Sequence, residues 1–216
     1  MDLSDLRREY SRTGLNREDL NADPFKQFEL WFEQAKAAGL IDYSALSLAT
    51  ATVDGLPTVR TVLLKLFDRD GFVFFTNYKS TKALQIEENP RVSMLFHWLP
   101  LERQVIIQGT AVRVTAMESL KYFASRPRGS QLGAWVSPQS SVVSSRRLLE
   151  GKLREAIKNS LAAKFPCRST GVVIAFSRNR LSFGKGAKIV CTIVFGTFIP
   201  AVITAGKWNA LRLDGA

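Results

Sequence analysis

Four short stretches of this 216-residue chain gather side chains suited to holding an anion. The densest runs Lys121-Tyr122-Phe123-Ala124-Ser125-Arg126-Pro127-Arg128-Gly129-Ser130. Arginine pairs bidentately with phosphate, and tyrosine and serine hydroxyls donate to the oxygens left over. A solvated helix end can have the same composition. Arg60-Thr61-Val62-Leu63-Leu64-Lys65 sets two cations five residues apart around an apolar run. In a strand, odd spacing sends them to opposite faces, and taken alone the pattern reads as the solvated ends of a core strand. Ser80-Thr81-Lys82 begins a helix. Free N–H groups, hydroxyls and an ammonium there suit a phosphate, although a plain N-cap uses the same residues. Gln139-Ser140-Ser141, shortly after Trp135, adds neutral donors. His97 is the single histidine and stands beside Trp98 in a strand pattern, a setting more often structural than catalytic. Cys167 and Cys191 lack His or Cys partners at ligand spacing, so no metal site is expected. Neither a G-x-G-x-x-G nor a Walker A loop occurs, and no catalytic residue is assigned.

These stretches need elements to carry them. Asp23-Pro24 reads as an N-cap followed by proline at the first helical position. Phe25, Phe28, Trp31, Phe32 and Ala35 then recur at helical spacing until Gly39 ends the run. Ala45 to Val53 reads as a strand running into an Asp54-Gly55 hairpin signal. Thr58 to Phe67, Gly71 to Thr76, Arg91 to Trp98 and Arg103 to Val114 read as four more strands. Helices are expected over Thr81 to Glu88, Met117 to Ser125, Ser130 to Val136 and Ser145 to Lys158. Strands in series with helices around them predict a mainly β, α+β chain: an antiparallel barrel with helices outside.

Charge divides the chain in two. Residues 159–216 hold eight Lys or Arg against Asp214 alone, net +7, while residues 1–158 hold 22 basic and 18 acidic groups, net +4. Both cysteines also lie in the second part. The expected organisation is a folded unit over 1–158 and an aberrant segment over 159–216. Because most of the excess charge sits in that segment, a nucleic-acid partner is not expected. Ile189 to Ala205 is uncharged, but it falls short of the ~20 apolar residues of a span and contains Pro200, so no membrane partner is expected. The charged first ten residues and the sparse cysteines fit a cytoplasmic protein.

Taken in order, the motifs resemble the pyridoxamine 5′-phosphate oxidase family. The likeness runs from Leu6-Arg-Arg-Glu-Tyr10 through Ala22-Asp-Pro24, Arg60–Lys65, Phe74–Asn77, Asn89-Pro-Arg91, Leu101–Gln104, Tyr122–Ser130 and Gly133–Ser141, roughly the first three-quarters of the chain. The resemblance implies an FMN-binding split β-barrel homodimer. It would oxidise pyridoxine or pyridoxamine 5′-phosphate to pyridoxal 5′-phosphate, with O₂ as acceptor. Carried over by motif, Arg60, Thr61, Val62, Leu63, Leu64, Lys65, Phe75, Thr76, Lys82, Gln104, Gln139 and Ser140 would contact FMN. Lys65, Tyr122, Arg126 and Ser130 would bind the substrate phosphate, and Arg7 and Tyr10 would belong to an N-terminal cover. Phe75 and Thr81 stand where the family usually has Tyr and Arg, removing a hydroxyl and a phosphate partner. A non-catalytic flavin or pyridoxal-phosphate binding protein is the alternative.

The tail departs from the family altogether. The family's W-G-G-Y-R, E-F-W-Q-G, R-L-H-D-R and R-L-A-P segments are missing. Read one base out of frame, however, the codons allowed for Thr170–Ala175, Leu181–Lys185, Ile189–Val194 and Gly206–Asp214 permit each of them in order, followed by a stop. This predicts a one-base loss in the coding sequence near Lys158 to Leu161, or a sequencing error there; the rival reading is a genuine divergent tail that packs in its own way. Losing the family's final strands should expose an unpaired edge. Losing its substrate-facing Arg and His should leave weak or absent oxidase activity.

Overall fold

A computed structural model of the chain describes residues 20–69 and 71–136 (backbone only at 135 and 136), four helical positions at 150, 151, 154 and 155, and the backbones of 172–176, 188–192, 201–204 and 207–210. Those four positions fall within the helix expected over Ser145 to Lys158, whose remainder lies outside the described residues.

Helix α1 (Pro24–Ala37) starts where the sequence predicts. The Asp23 carboxylate accepts from the Phe25 N–H at 3.0 Å, and Pro24 occupies the first turn. Burial acts to raise the Asp23 pKa, but the Phe25 N–H and the paired Arg69 guanidinium outweigh it and hold the carboxyl below its usual range. Gly39 ends the helix at φ +68°, a left-handed conformation that side chains resist. The helix lays Phe28, Trp31 and Ala35 into the core. Phe28 is fully buried, with ring centroids 4.9 Å from Phe67, 4.9 Å from Phe72 and 5.0 Å from Phe96, all edge-on. Edge-to-face geometry suits aromatic quadrupoles. The buried Trp98 places its Nε1–H 2.9 Å from the Tyr43 carbonyl.

Strands β1 (Ala45–Ala51) and β2 (Pro57–Asp68) form an antiparallel hairpin. Val53, expected in the strand, instead enters the turn, where Gly55 sits at φ +92° and the Leu56 N–H donates to Thr52 Oγ1 at 3.0 Å. Next come β3 (Gly71–Thr76), α2 (Thr81–Glu88), β4 (Arg91–Trp98), a 3-10 turn over Leu99–Leu101 and β5 (Arg103–Arg113). Helices α3 (Ala116–Ser125) and α4 (Arg128–Val136) follow. Thr115 and Glu118 cap α3 reciprocally; the Thr115 hydroxyl and N–H hold the Glu118 carboxyl below its usual range.

The tail contributes β6 (Val172–Phe176), β7 (Lys188–Thr192), β8 (Ala201–Thr204) and β9 (Lys207–Ala210). This corrects the expectation that the barrel loses its last strands. Antiparallel pairings run β4–β1–β2–β3–β6–β5 and return from β5 to β4, closing a six-stranded ring. Strand β6 fills the gap by pairing Phe74 with Ile174 and Ala111 with Phe176. The rest of that β5 edge, Gln104 to Gln108, pairs with β7, from which β8 and β9 extend. Ladder bonds use the backbone, so Val/Ile-rich segments can supply them whatever motif they replace. Among the described residues, no helix is long and apolar enough to cross a membrane.

Phe28→Ala should remove the hub of the aromatic core and cost about 3–5 kcal/mol. Urea unfolding checks it; a loss under about 1 kcal/mol would show that the cluster rearranges freely.

Candidate functional site

Strand β2 orders its side chains by alternation. Arg60, Val62 and Leu64 turn inward, while Val59, Thr61, Leu63 and Lys65 turn out. Arg60 and Lys65 therefore face opposite sides, as their odd spacing requires. A bulge follows, since pairing steps from Leu64↔Phe74 to Leu66↔Val73. Lys65 and Leu66 are both exposed, and the extra residue returns Phe67 to the core side.

Arg60 is held by neutral oxygens. Its Nη1 donates to the Leu48 carbonyl at 3.2 Å and to Thr50 Oγ1 at 2.6 Å, and its Nη2 donates to Thr58 Oγ1. Thr50 and Thr58 in turn donate to Gln85 Oε1 at 2.6 and 2.7 Å. Lys82 lies one helical turn before Gln85 on α2. Burial, and then the nearby charge of Arg60, push its ammonium below the usual lysine range. Burial also lowers Arg60. The three ion pairs among the described residues are Lys36–Glu33, Arg69–Asp23 and Arg113–Glu87, so none supplies these two cations with a carboxylate. Ser80, the N-cap of α2, makes no side-chain cap bond; its hydroxyl donates to the Asn77 carbonyl at 2.6 Å. Two like charges, half-buried and close to a helix N-terminus, form an anion-selective arrangement. The set fits the phosphate of a cofactor such as FMN.

Arg113 braces α2 from the sheet. Its guanidinium lies 4.6 Å over the Tyr78 ring and 2.9 Å from Glu87. Thr76, on β3, is buried and shares a 3.2 Å hydroxyl contact with Ser80.

The second cluster sits on α3. Phe75 and Tyr122 stack at 3.3 Å between ring centroids and 7° between planes, which brings together one expected flavin contact and one expected substrate contact. Burial raises the Tyr122 phenol, partly offset by Arg126, so it remains a donor at neutral pH. The turn to α4 is stapled by Gln131, whose Nε2 donates to the Arg126 carbonyl at 2.8 Å. Arg126 is half-buried, and Ser130 is exposed in the first turn of α4. Gln104 lies on β5 between His97 of β4 and Thr192 of β7. Arg7, Tyr10, Gln139 and Ser140 lie outside the described residues.

Sequence reasoning missed Thr50, Thr58, Gln85 and Gln131. Gln85 carried a readable signal: it is a polar side chain between the buried Ala83 and Ile86 of a short helix. Among the described residues, no group of three or more His, Cys, Asp or Glu could hold a metal ion.

The model of a family described as pyridoxamine 5′-phosphate oxidase matches residues 32–159. A protein from Crocosphaera subtropica named pyridoxine/pyridoxamine 5′-phosphate oxidase is 67% identical over 155 residues, 72% of this chain and 72% of that one. Another of the same name, from Aliarcobacter butzleri, is 50% identical over 216 residues, 99% of each chain. Among solved structures, PhzG from Burkholderia lata in complex with tetrahydrophenazine-1-carboxylic acid is similar in fold. Its TM-score is 0.78 at 22% identity, covering 93% of this chain and 97% of that one.

Because Lys82 titrates lower in the folded chain than in the unfolded one, its charge opposes folding at neutral pH. Stability of the ligand-free protein should therefore rise as pH climbs through the folded Lys82 pKa toward the unfolded value. Lys82→Met should raise the ligand-free melting temperature and abolish the further rise produced by inorganic phosphate. Thermal unfolding with and without phosphate reads both, and a lower ligand-free melting temperature would contradict the electrostatic reading.

Proposed function

The chain belongs to the pyridoxamine 5′-phosphate oxidase family, and from that membership we propose that it oxidises pyridoxamine or pyridoxine 5′-phosphate to pyridoxal 5′-phosphate, with FMN as cofactor and O₂ as electron acceptor. The observation that carries the reading is the half-buried Arg60–Lys82 pair, with Arg60 held by neutral oxygens and neither cation paired with a carboxylate among the described residues.

Arg60 and Lys82 hold the FMN phosphate, and the start of α2 orients it. Along the strand after Arg60, the outward Thr61, Leu63 and Lys65 line the flavin with their side chains and the inward Val62 and Leu64 with their backbone, joined by Phe75, Thr76, Gln104, Gln139 and Ser140. Tyr122 donates its phenol proton to a substrate phosphate oxygen, while Arg126 supplies charge and Ser130 a hydroxyl. Lys65 reaches the same phosphate, and Arg7 and Tyr10 cover the site and exclude water. The chemistry supplied by bound FMN is acceptance of a hydride and return of two electrons to O₂ as H₂O₂. Fixing both phosphates limits the substrate's motion to a narrow range of approach, which lowers the entropic part of the barrier.

The proposed assembly is a homodimer in the cytoplasm. Its support is the outer face of β2, where Val59 is 69%, Leu63 41% and Leu66 55% exposed. Apolar side chains aligned on one sheet face suit a second copy of the chain.

The proposed division of the chain at residues 158 and 159 favours a second reading. The tail lacks the family's closing motifs, so the chain binds flavin or pyridoxal phosphate without turnover. Its proposed origin is a one-base loss in the coding DNA; a coding sequence that does not recover W-G-G-Y-R after one added base would refute that origin.

Titration with FMN should quench flavin fluorescence to saturation at one FMN per subunit, on a species that sediments as a dimer. Pyridoxamine 5′-phosphate should then yield H₂O₂ at a rate below that of a relative carrying the closing motifs. Bound FMN without H₂O₂ selects the binding-protein reading. No FMN binding overturns the cofactor assignment.

A further inference from the structure

Arginine donates hydrogen bonds and accepts none. Thr50 Oγ1 and Thr58 Oγ1, which both accept from Arg60, must therefore send their own protons elsewhere. A hydroxyl has one proton, and the nearest acceptor for both is Gln85 Oε1, at 2.6 Å from Thr50 and 2.7 Å from Thr58, whereas the two hydroxyls lie 3.2 Å from each other and Thr58 Oγ1 lies 3.5 Å from the Thr50 carbonyl. The same oxygen lies 3.4 Å from Arg60 Nη2. Turning the Gln85 amide around would set its NH₂ against Arg60 Nη2 and leave the two hydroxyl protons only the longer contacts to each other and to the Thr50 carbonyl, so the network favours this orientation. Gln85 is 5% exposed, and its network spans β1, β2 and α2.

We propose that Gln85 is a positioning residue for anion recognition: its buried amide oxygen takes the protons of Thr50 and Thr58, which turns both hydroxyl lone pairs to Arg60 and holds that guanidinium beside Lys82 with its charge unneutralised. The inference rests on the reading of Arg60 and Lys82 as holders of the FMN phosphate.

An amide suits this role better than a carboxylate. Glutamate at this place would accept the same protons, but it would also pair with Arg60 and cancel one charge of the site. A hydrocarbon would leave the buried Thr50 hydroxyl, the half-buried Thr58 hydroxyl and a guanidinium competing for the remaining carbonyls. Hydrogen bonding through neutral oxygens keeps the cation fixed yet electrostatically available.

Wild type, Gln85→Glu and Gln85→Leu are titrated with FMN and with riboflavin, which lacks the phosphate. Inorganic phosphate is added to each in thermal unfolding. Gln85→Glu keeps the side-chain shape, so a folding failure of Gln85→Leu leaves the test intact. Gln85→Glu should weaken FMN about tenfold or more, the scale of one charge-assisted hydrogen bond, while riboflavin affinity stays within about twofold. It should also remove the stabilisation by inorganic phosphate. An FMN-to-riboflavin ratio unchanged from wild type overturns the proposal, because a merely structural residue would weaken both ligands together. If wild type binds neither flavin, the FMN reading fails, and the phosphate experiment still decides: stabilisation lost in Gln85→Glu supports the positioning role. Stabilisation equal in both proteins, or absent from wild type, overturns it.

Discussion

Strand β5 presents two full edges of backbone polar groups, and the architecture follows from satisfying both. One edge runs along β4 from Arg103 to Thr110. The other is divided, with Gln104 to Gln108 on β7 and Ala111 to Arg113 on β6. Unpaired N–H and C=O groups in a buried strand are costly, so segments must occupy both portions of that edge. The C-terminal quarter supplies them, although its composition differs from that of the first 158 residues. Backbone pairing asks for extended, β-branched chain rather than for a particular motif. Ladder geometry and chemical function are therefore separable here: β6 closes the ring whether or not its side chains are those of the family.

Inside that frame the molecule keeps one electrostatically unfavourable place. Arg60 and Lys82 repel each other, are half-desolvated and receive no carboxylate among the described residues. Three other described arginines are compensated. Arg69 pairs with Asp23, Arg113 with Glu87, and Arg103 lies 5.1 Å over the Trp31 ring. The contrast localises the strain. Positive charge beside a helix start, uncompensated by a carboxylate among the described residues, disfavours the empty protein and would favour an anion-bound one, so affinity for such a ligand and ligand-free stability would trade against each other.

Much of the fold was legible from periodicity and turn chemistry. Helix α2 and strands β3 and β4 run between the residues expected from sequence, because Pro90, Gly71 and the Ser80-Thr81 cap punctuate them clearly. Boundaries moved where pairing decides rather than local preference: β2 begins at Pro57 and ends at Asp68, and Val53 falls into the turn. The bulge at Lys65 could not be read from sequence, since it exists only as a mismatch between partners. Of the site, the cations and the Tyr122 cluster were visible as residue types. The Thr50–Thr58–Gln85 network was not, because three polar residues 8 and 27 positions apart become neighbours only when α2 docks on the sheet. The tail's strands were missed for a different reason. Motif comparison tests which side chains are present, whereas ladder formation depends mainly on extended backbone.

The pairing of Phe74 with Ile174 also has a temporal meaning. The two residues are separated by ~100 positions, so on the ribosome β3 waits for its outer partner through roughly 5–20 s of synthesis at ordinary elongation rates of ~5–20 residues per second. During that interval β1, β2 and β3 can already zip through short turns, while the far edge of β3 stays open to any extended chain nearby. The ring closes only when the last quarter emerges. For this molecule the C-terminal segment thus acts as a clasp applied late, and what a nascent chain meets before then is a matter of crowding and chaperone supply rather than of the finished barrel's stability.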